Sequence, residues 1–295
     1  MSFALIAVVI VLLVGHAAPA LMALRRFEWL VAWRRYLEAA SAPDGALTGR
    51  LGLVLMAGLP VLLVALLQIA LREPLWGLPG FVFATLLLFW CWGPRDLDVD
   101  VEAIVEAGDA DARRQATAHL LHEPGEALPD GHTLVAAVFE GALRRWFAPL
   151  FWFVLLGPAG VLTYRIFAQL GVDPAHAEAT PTQREDARWL LSVLDWPAAQ
   201  LMALALALAA NFDAVFSAWR QWHAEGWRLD NGFLAAAARA SVDIEIAEHD
   251  TDLPEADLAT ATPALLELRD AMSLVWRMLL LWLAVLAMFV IARLF

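Results

Sequence analysis

Phe147-Ala148-Pro149-Leu150-Phe151-Trp152-Phe153 opens an apolar segment that runs to Leu170 and follows directly on the pair Arg144-Arg145. A second such segment, Leu190–Phe212, carries Leu194-Asp195-Trp196-Pro197 in its interior. Crossing the hydrocarbon core of a bilayer takes about 20 apolar residues in a helix. Working outward from these two, four further stretches approach that length: Phe3–Leu24, Leu51–Leu71, Leu78–Trp92 and Leu274–Leu294. The expected fold is therefore all-α, a polytopic transmembrane helical protein forming a single integral membrane domain over 1–295. About six membrane segments are expected. Four or five result if the first, which holds His16 and Pro19, lies in the interface, or if the short third is re-entrant.

Composition agrees. Hydrophobic residues make up 61% of the chain, against roughly 45–50% in soluble domains. The net charge of −12 excludes a nucleic-acid partner, which needs a basic surface. Cys91 is the one cysteine, so no intrachain disulfide framework exists. Phe3 to Val14 is apolar without a basic leader or a small-residue cleavage site, and reads as a retained membrane segment rather than a removed signal peptide. All basic residues are arginine; no mechanism follows from that.

Arginine placement sets the expected orientation. Arg25, Arg26, Arg34, Arg35 and Arg50 lie in segment 25–50, which the positive-inside rule makes cytoplasmic. The N-terminus is then periplasmic, and 93–146 and 217–273 are cytoplasmic. Both long segments read as helical. Val101, Ile104, Val105, Ala112, Ala116, Leu120 and Leu121 form an apolar stripe, with Asp100, Glu102, Glu106, Asp109 and Asp111 on the opposing, solvated face. An alanine-rich helix is expected over Gly232–Ala247, followed by an acidic stretch broken by Pro254 and Pro263.

Several constellations invite chemistry. His119-x-x-His122-Glu123 has a metal-compatible spacing, but it matches no zinc signature and Pro124 ends the helix, so no metal and no cofactor is expected. His249-Asp250 is read as part of a solvated acidic face. Gly157-Pro158-Ala159-Gly160 lacks the lysine of a phosphate loop and reads as a helix break or a close helix contact. No nucleophile triad can be assembled. Asp195 is the sharpest residue, because a carboxylate at lipid depth costs about 2.5–3.5 kcal/mol on insertion scales. It either lines a polar pocket or N-caps a helix starting at Trp196-Pro197. Arg165, beside Tyr164, either pairs with Asp195 or snorkels outward.

These residues resemble the AmpE family, within a superfamily of CobD/CbiB-like membrane proteins. Ala148-Pro149-Leu150-Phe151-Trp152 with Gly157-Pro158-Ala159-Gly160 looks like the family's APLF-W helix and the turn after it. Leu194-Asp195-Trp196-Pro197 resembles its LDW-P motif, and Gly93-Pro94-Arg95-Asp96 the start of its cytoplasmic segment. In the CobD/CbiB synthases, which join an aminopropanol unit to a corrinoid in cobalamin biosynthesis, a Glu-Asn-x-x-Asp element precedes the APLF helix. This chain keeps Glu140 but has Gly141 and Arg144 at the other two positions, which removes an amide and a carboxylate. The resemblance thus implies the AmpE branch: a non-catalytic inner-membrane regulatory or sensory protein linked to β-lactamase induction and muropeptide recycling. Its implied partners are the lipid bilayer and a cell-wall metabolite or an AmpD-type amidase pathway. The candidate ligand-binding residues are Asp195, Trp196, Arg144, Arg145, Tyr164, Arg165, Glu140 and Trp152, with Arg144-Arg145 read either as an anion contact or as a positive-inside anchor alone. A CobD/CbiB-type synthase and a transporter are the alternatives.

Overall fold

In a computed structural model the described residues are 2–17, 21, 25, 27–39, 50–72, 77–93, 96–121, 129–172, 181–226, 228–249 and 263–292. Nearly all of them are helical, with no strand among them. The elements are α1 (Ser2–Ala17), α2 (Glu28–Ala39), α3 (Arg50–Ala70), α4 (Leu78–Cys91), α5 (Leu97–Val105), α6 (Ala110–Leu121) and α7 (Gly131–Ala142). A π turn follows at Leu143–Phe147, then α8 (Ala148–Leu156), α9 (Pro158–Val172), α10 (Pro181–Ala209), α11 (Phe212–Trp222), α12 (Gly232–His249) and α13 (Pro263–Ala292).

Among the described residues, three helices are long and apolar enough to cross a membrane: Gly52–Ala70, Thr182–Ala209 and Ala264–Ala292. Ala4–Gly15 and Leu78–Cys91 are shorter apolar helices. The surface of α3 explains why water is the wrong solvent for it. Val54, Leu59, Leu62, Leu63, Leu66 and Ile69 are all exposed, and a contiguous apolar surface of that extent is stable only against lipid or another apolar partner.

The chain divides into two compact units. The first comprises 1–94, 148–195 and 292–295; the second comprises 95–147 and 196–291. In the first unit α4 packs on α1 and α9, and α3 packs on α9. The expected segment Phe147–Leu170 is not one helix: it is broken at Gly157, which adopts φ +70°. A left-handed residue of this kind is costly for anything but glycine. Gly160 lies so close under the previous turn that an added Cβ would sit 2.4 Å from the Trp152 carbonyl oxygen. The break and the close contact read from Gly157-Pro158-Ala159-Gly160 therefore both occur.

In the second unit α11 packs on α12, α12 on α7, and α5 on α6 and α7. The apolar stripe of the first cytoplasmic segment supplies part of its core through Val101, Ile104, Ala116 and Leu120, while Ala112 is exposed. The alanine-rich helix is present as α12. One residue of the expected solvated face is corrected: Asp100 is buried, at 1% exposure. His122, Glu123 and Asp250 of the two histidine motifs lie outside the described residues. Among the described residues no group of three or more metal-ligating side chains could hold an ion.

Candidate functional site

The first unit holds a set of polar side chains inside apolar surroundings. Tyr164 on α9 is fully buried and donates its hydroxyl to Asp195 Oδ1 at 2.7 Å. Asp195 is 1% exposed. The expected N-cap role for it is overturned. Helix α10 runs unbroken from Pro181 to Ala209, so Asp195 lies in its interior and Pro197 is an internal proline. An internal proline removes one amide hydrogen and crowds the carbonyl four residues back, which loosens the turn before it. That turn carries Leu194, whose carbonyl accepts a hydrogen bond from Trp152 Nε1 at 3.0 Å. A donor from another helix thus supports the turn that proline weakens.

Arg165, the neighbour of Tyr164, is 3% exposed and does not snorkel. Its Nε donates to the Cys91 carbonyl at 2.7 Å, at the last residue of α4. Carbonyls at a helix C-terminus have no intrahelical donor, and a cation is the favoured partner there. Arg25 acts nearby in the same way, donating to the Gly93 carbonyl at 3.1 Å and lying over the Phe89 ring at 4.4 Å. Phe27 and Trp29 both stack on Trp90, closing an aromatic cluster around that end of α4.

Gln68 is a member of this unit that sequence reasoning missed. From α3, its Nε2 donates to the Leu156 carbonyl at 3.3 Å and its Oε1 accepts from the Ala159 amide at 3.1 Å. Leu156 ends α8 and Ala159 lies in the first turn of α9, so one side-chain amide serves an orphan acceptor and an orphan donor across the break. The signal for it was a lone amide in an otherwise apolar segment. Its target was invisible, because the break lies far along the chain.

The other candidates belong to the second unit. Arg144 and Arg145 occupy the π turn, a widened turn that recurs at functional sites; it ends at Phe147, two residues before Pro149, whose ring crowds the carbonyl four residues back. Arg144 pairs with Glu140 at 2.6 Å, an i,i+4 contact on the helix surface. Arg145 points inward, 5% exposed, and pairs with Asp100 Oδ2 at 2.5 Å. That carboxylate was assigned to solvent in the sequence reading, so the buried partner of Arg145 was missed. Aromatic rings flank the turn: Trp146 meets Trp276 and Phe147 meets Trp282, with centroids 5.2 and 5.1 Å apart. Trp276 Nε1 donates to Asp98 at 2.9 Å. Trp196 is half-buried, as is Trp152 in the first unit. Of the eight candidates, the structure joins Tyr164 with Asp195 and Arg144 with Glu140, and places Trp152 one residue away at Leu194.

Helices with lipid-grade outer surfaces, together with charged and aromatic side chains closed inside them, define an all-α helical membrane protein. The chain belongs to the AmpE family: the model described as "Regulatory signalling modulator protein AmpE" matches residues 44–268. That description gives it a regulatory role in broad terms. No curated protein and no solved structure matches the chain.

Proposed function

We propose that this protein is an inner-membrane regulatory and sensory factor acting in β-lactamase induction and muropeptide recycling, with no turnover of its own and with its N-terminus in the periplasm. The observation that carries the reading is the Tyr164–Asp195 bond. A carboxylate at lipid depth is a functional residue by default, because insertion costs on the order of 2.5–3.5 kcal/mol. Here it is closed from solvent and accepts a hydrogen bond from the Tyr164 phenol, an arrangement suited to holding a conformation. An α9–α10 joint with a bonded and an opened form is a two-state element on which a signal acts.

The non-catalytic part of the reading is supported by Glu140. It is the one acid retained from the synthase element, and its carboxylate is engaged by Arg144. A metabolite carrying carboxylate or phosphate groups would compete with Glu140 for Arg144, which remains partly exposed. Arg145 is committed to Asp100 and takes no part in ligand capture. The family description and the five arginines of segment 25–50 support the regulatory role and the orientation.

The test is genetic. In a host with inducible β-lactamase, deletion of this protein should change the induction profile; wild-type chain should restore it and Asp195→Asn should not. An unchanged profile on deletion overturns the proposal. Rescue of a strain lacking the corrinoid synthase would replace it with the enzymatic alternative.

A further inference from the structure

We infer that α11 folds back along the end of α10, with Phe212 and Phe216 seated among the lipids that surround α10. The argument starts from its two faces. Val215 is 2% exposed, and Trp222 lies over Gly232 at the start of α12, where an added Cβ would fall 2.2 Å from the indole ring. That side packs on α12 through Val215, while Trp222 keeps 36% of its surface exposed at the helix end. On the neighbouring side Phe212 and Phe216 are 52% and 48% exposed. They stack at 5.8 Å, and Phe216 stacks on Trp219 at 6.0 Å. Asp213, Arg220 and Gln221 take the polar edge, all exposed.

The occupant follows from where α11 lies. Asn211, with φ −103° and ψ 110°, interrupts the helix and caps α11 by accepting from the Ala214 amide at 3.1 Å. Trp219 Nε1 then donates to Gln200 Oε1 at 2.8 Å. Gln200 lies nine residues before the end of α10, about 14 Å back along its axis at 1.5 Å per residue. Side chains cannot span that distance plus the length of α11 unless α11 folds back beside α10. Phe212 and Phe216 are thereby level with the last turns of α10, whose exposed residues are Leu201, Leu204 and Leu208. Those leucines belong to a helix long and apolar enough to cross a membrane. The phenylalanines continue the same apolar surface, so whatever solvates the leucines solvates them. The polar edge carries one acid and one base, Asp213 and Arg220, so insertion rests on apolar contact and not on anionic lipid.

The test uses full-length protein in nanodiscs, spin-labelled one position at a time at Phe212→Cys, Phe216→Cys, Asp213→Cys and Gln221→Cys. Unlabelled sites contribute no background, because Cys91 is fully buried. Labels at 212 and 216 should collide several-fold more with oxygen, relative to a water-soluble nickel chelate, than labels at 213 and 221. The pattern should be the same in phosphatidylcholine and with added anionic lipid. Equal ratios at all four positions overturn the inference. So does shielding of 212 and 216 from both reagents, which would mean that protein covers them, or insertion that requires anionic lipid. Wild-type protein labelled by a lipid-soluble carbene precursor gives a measurement free of substitutions: the 212–222 peptide should be modified as 201–208 is, and an unmodified peptide refutes the placement.

Discussion

Removing the Tyr164 hydroxyl isolates the bond on which the proposed function turns. In Tyr164→Phe the ring stays in place and Asp195 Oδ1 loses a donor at 2.7 Å. Hydrogen bonds between membrane helices average about 0.6 kcal/mol, with a maximum near 1.7. Two observations put this one at the upper end: the short distance and exposure of 1% or less at both partners. The expected loss is about 1.5 kcal/mol, close to tenfold in the unfolding equilibrium constant. Asp195→Leu should cost a similar amount by removing an acceptor from the phenol. The double variant should cost less than the sum of the two by about 1 kcal/mol, the sign of a direct contact. Steric trapping or reversible unfolding in mixed micelles reads these differences. A Tyr164→Phe protein within about 0.3 kcal/mol of wild type, or strictly additive single losses, would refute the reasoning.

Gln68→Leu strips partners from the Leu156 carbonyl and the Ala159 amide, and should lower stability in micelles by about 1–3 kcal/mol; a wild-type unfolding curve would show that the break needs no brace. Gly157→Ala combines φ +70° with a Cβ 2.8 Å from Gln68 Nε2, so about 1–2 kcal/mol is lost from the left-handed backbone alone, read by the same assay. Arg145→Met takes a guanidinium away from the buried Asp100 carboxylate and should cost about 3–5 kcal/mol; Arg145→Met with Asp100→Leu should recover most of it, checked by thermal unfolding and limited proteolysis between residues 96 and 147. The Asp130 carboxyl, before α7, is held below the usual aspartate range chiefly by the Thr133 hydroxyl. A depressed value means that this contact stabilises the fold above the ordinary aspartate range and is lost as pH falls through the folded value. Thr133→Val should raise the Asp130 titration midpoint in an NMR titration; an unmoved midpoint assigns the shift elsewhere.

Local physics made some of this architecture readable. Runs such as Leu51–Leu71 announce membrane helices by their length and unbroken apolarity, and α3 leaves Leu55, Leu59, Leu62, Leu63, Leu66 and Leu67 exposed while Leu53 and Val64 are buried. Gly157-Pro158 announces a break because one residue prefers left-handed backbone and the next cannot donate. The errors share a cause. Trp196-Pro197 reads as a helix start when only its neighbours in sequence are considered. The helix continues through the proline, and Trp152, from another helix, donates to the turn before it. Asp100 reads as solvated among Glu102, Glu106 and Asp109, yet its partner Arg145 stands 45 residues away. Gln68 reads as a stray amide until the break opposite it is known. Each role was set by a partner distant in sequence, and periodicity carries no information about such pairs. Tyr164 and Asp195 were both singled out as candidates, but their pairing was not foreseen.

The amide of Gln68 also has a consequence for biosynthesis. Ala159 follows Gln68 by 91 residues, which is roughly 5–18 s of translation at 5–20 residues per second. The brace is therefore in the membrane before the break that needs it emerges. Arriving alone, the α8–α9 junction would present a carbonyl and an amide without the side chain that serves both. Chain order spares it that exposure. A circular permutant that delivers α8 and α9 ahead of α3 would contain every contact of the native protein in its final state, and would still meet at insertion a barrier that the natural order avoids.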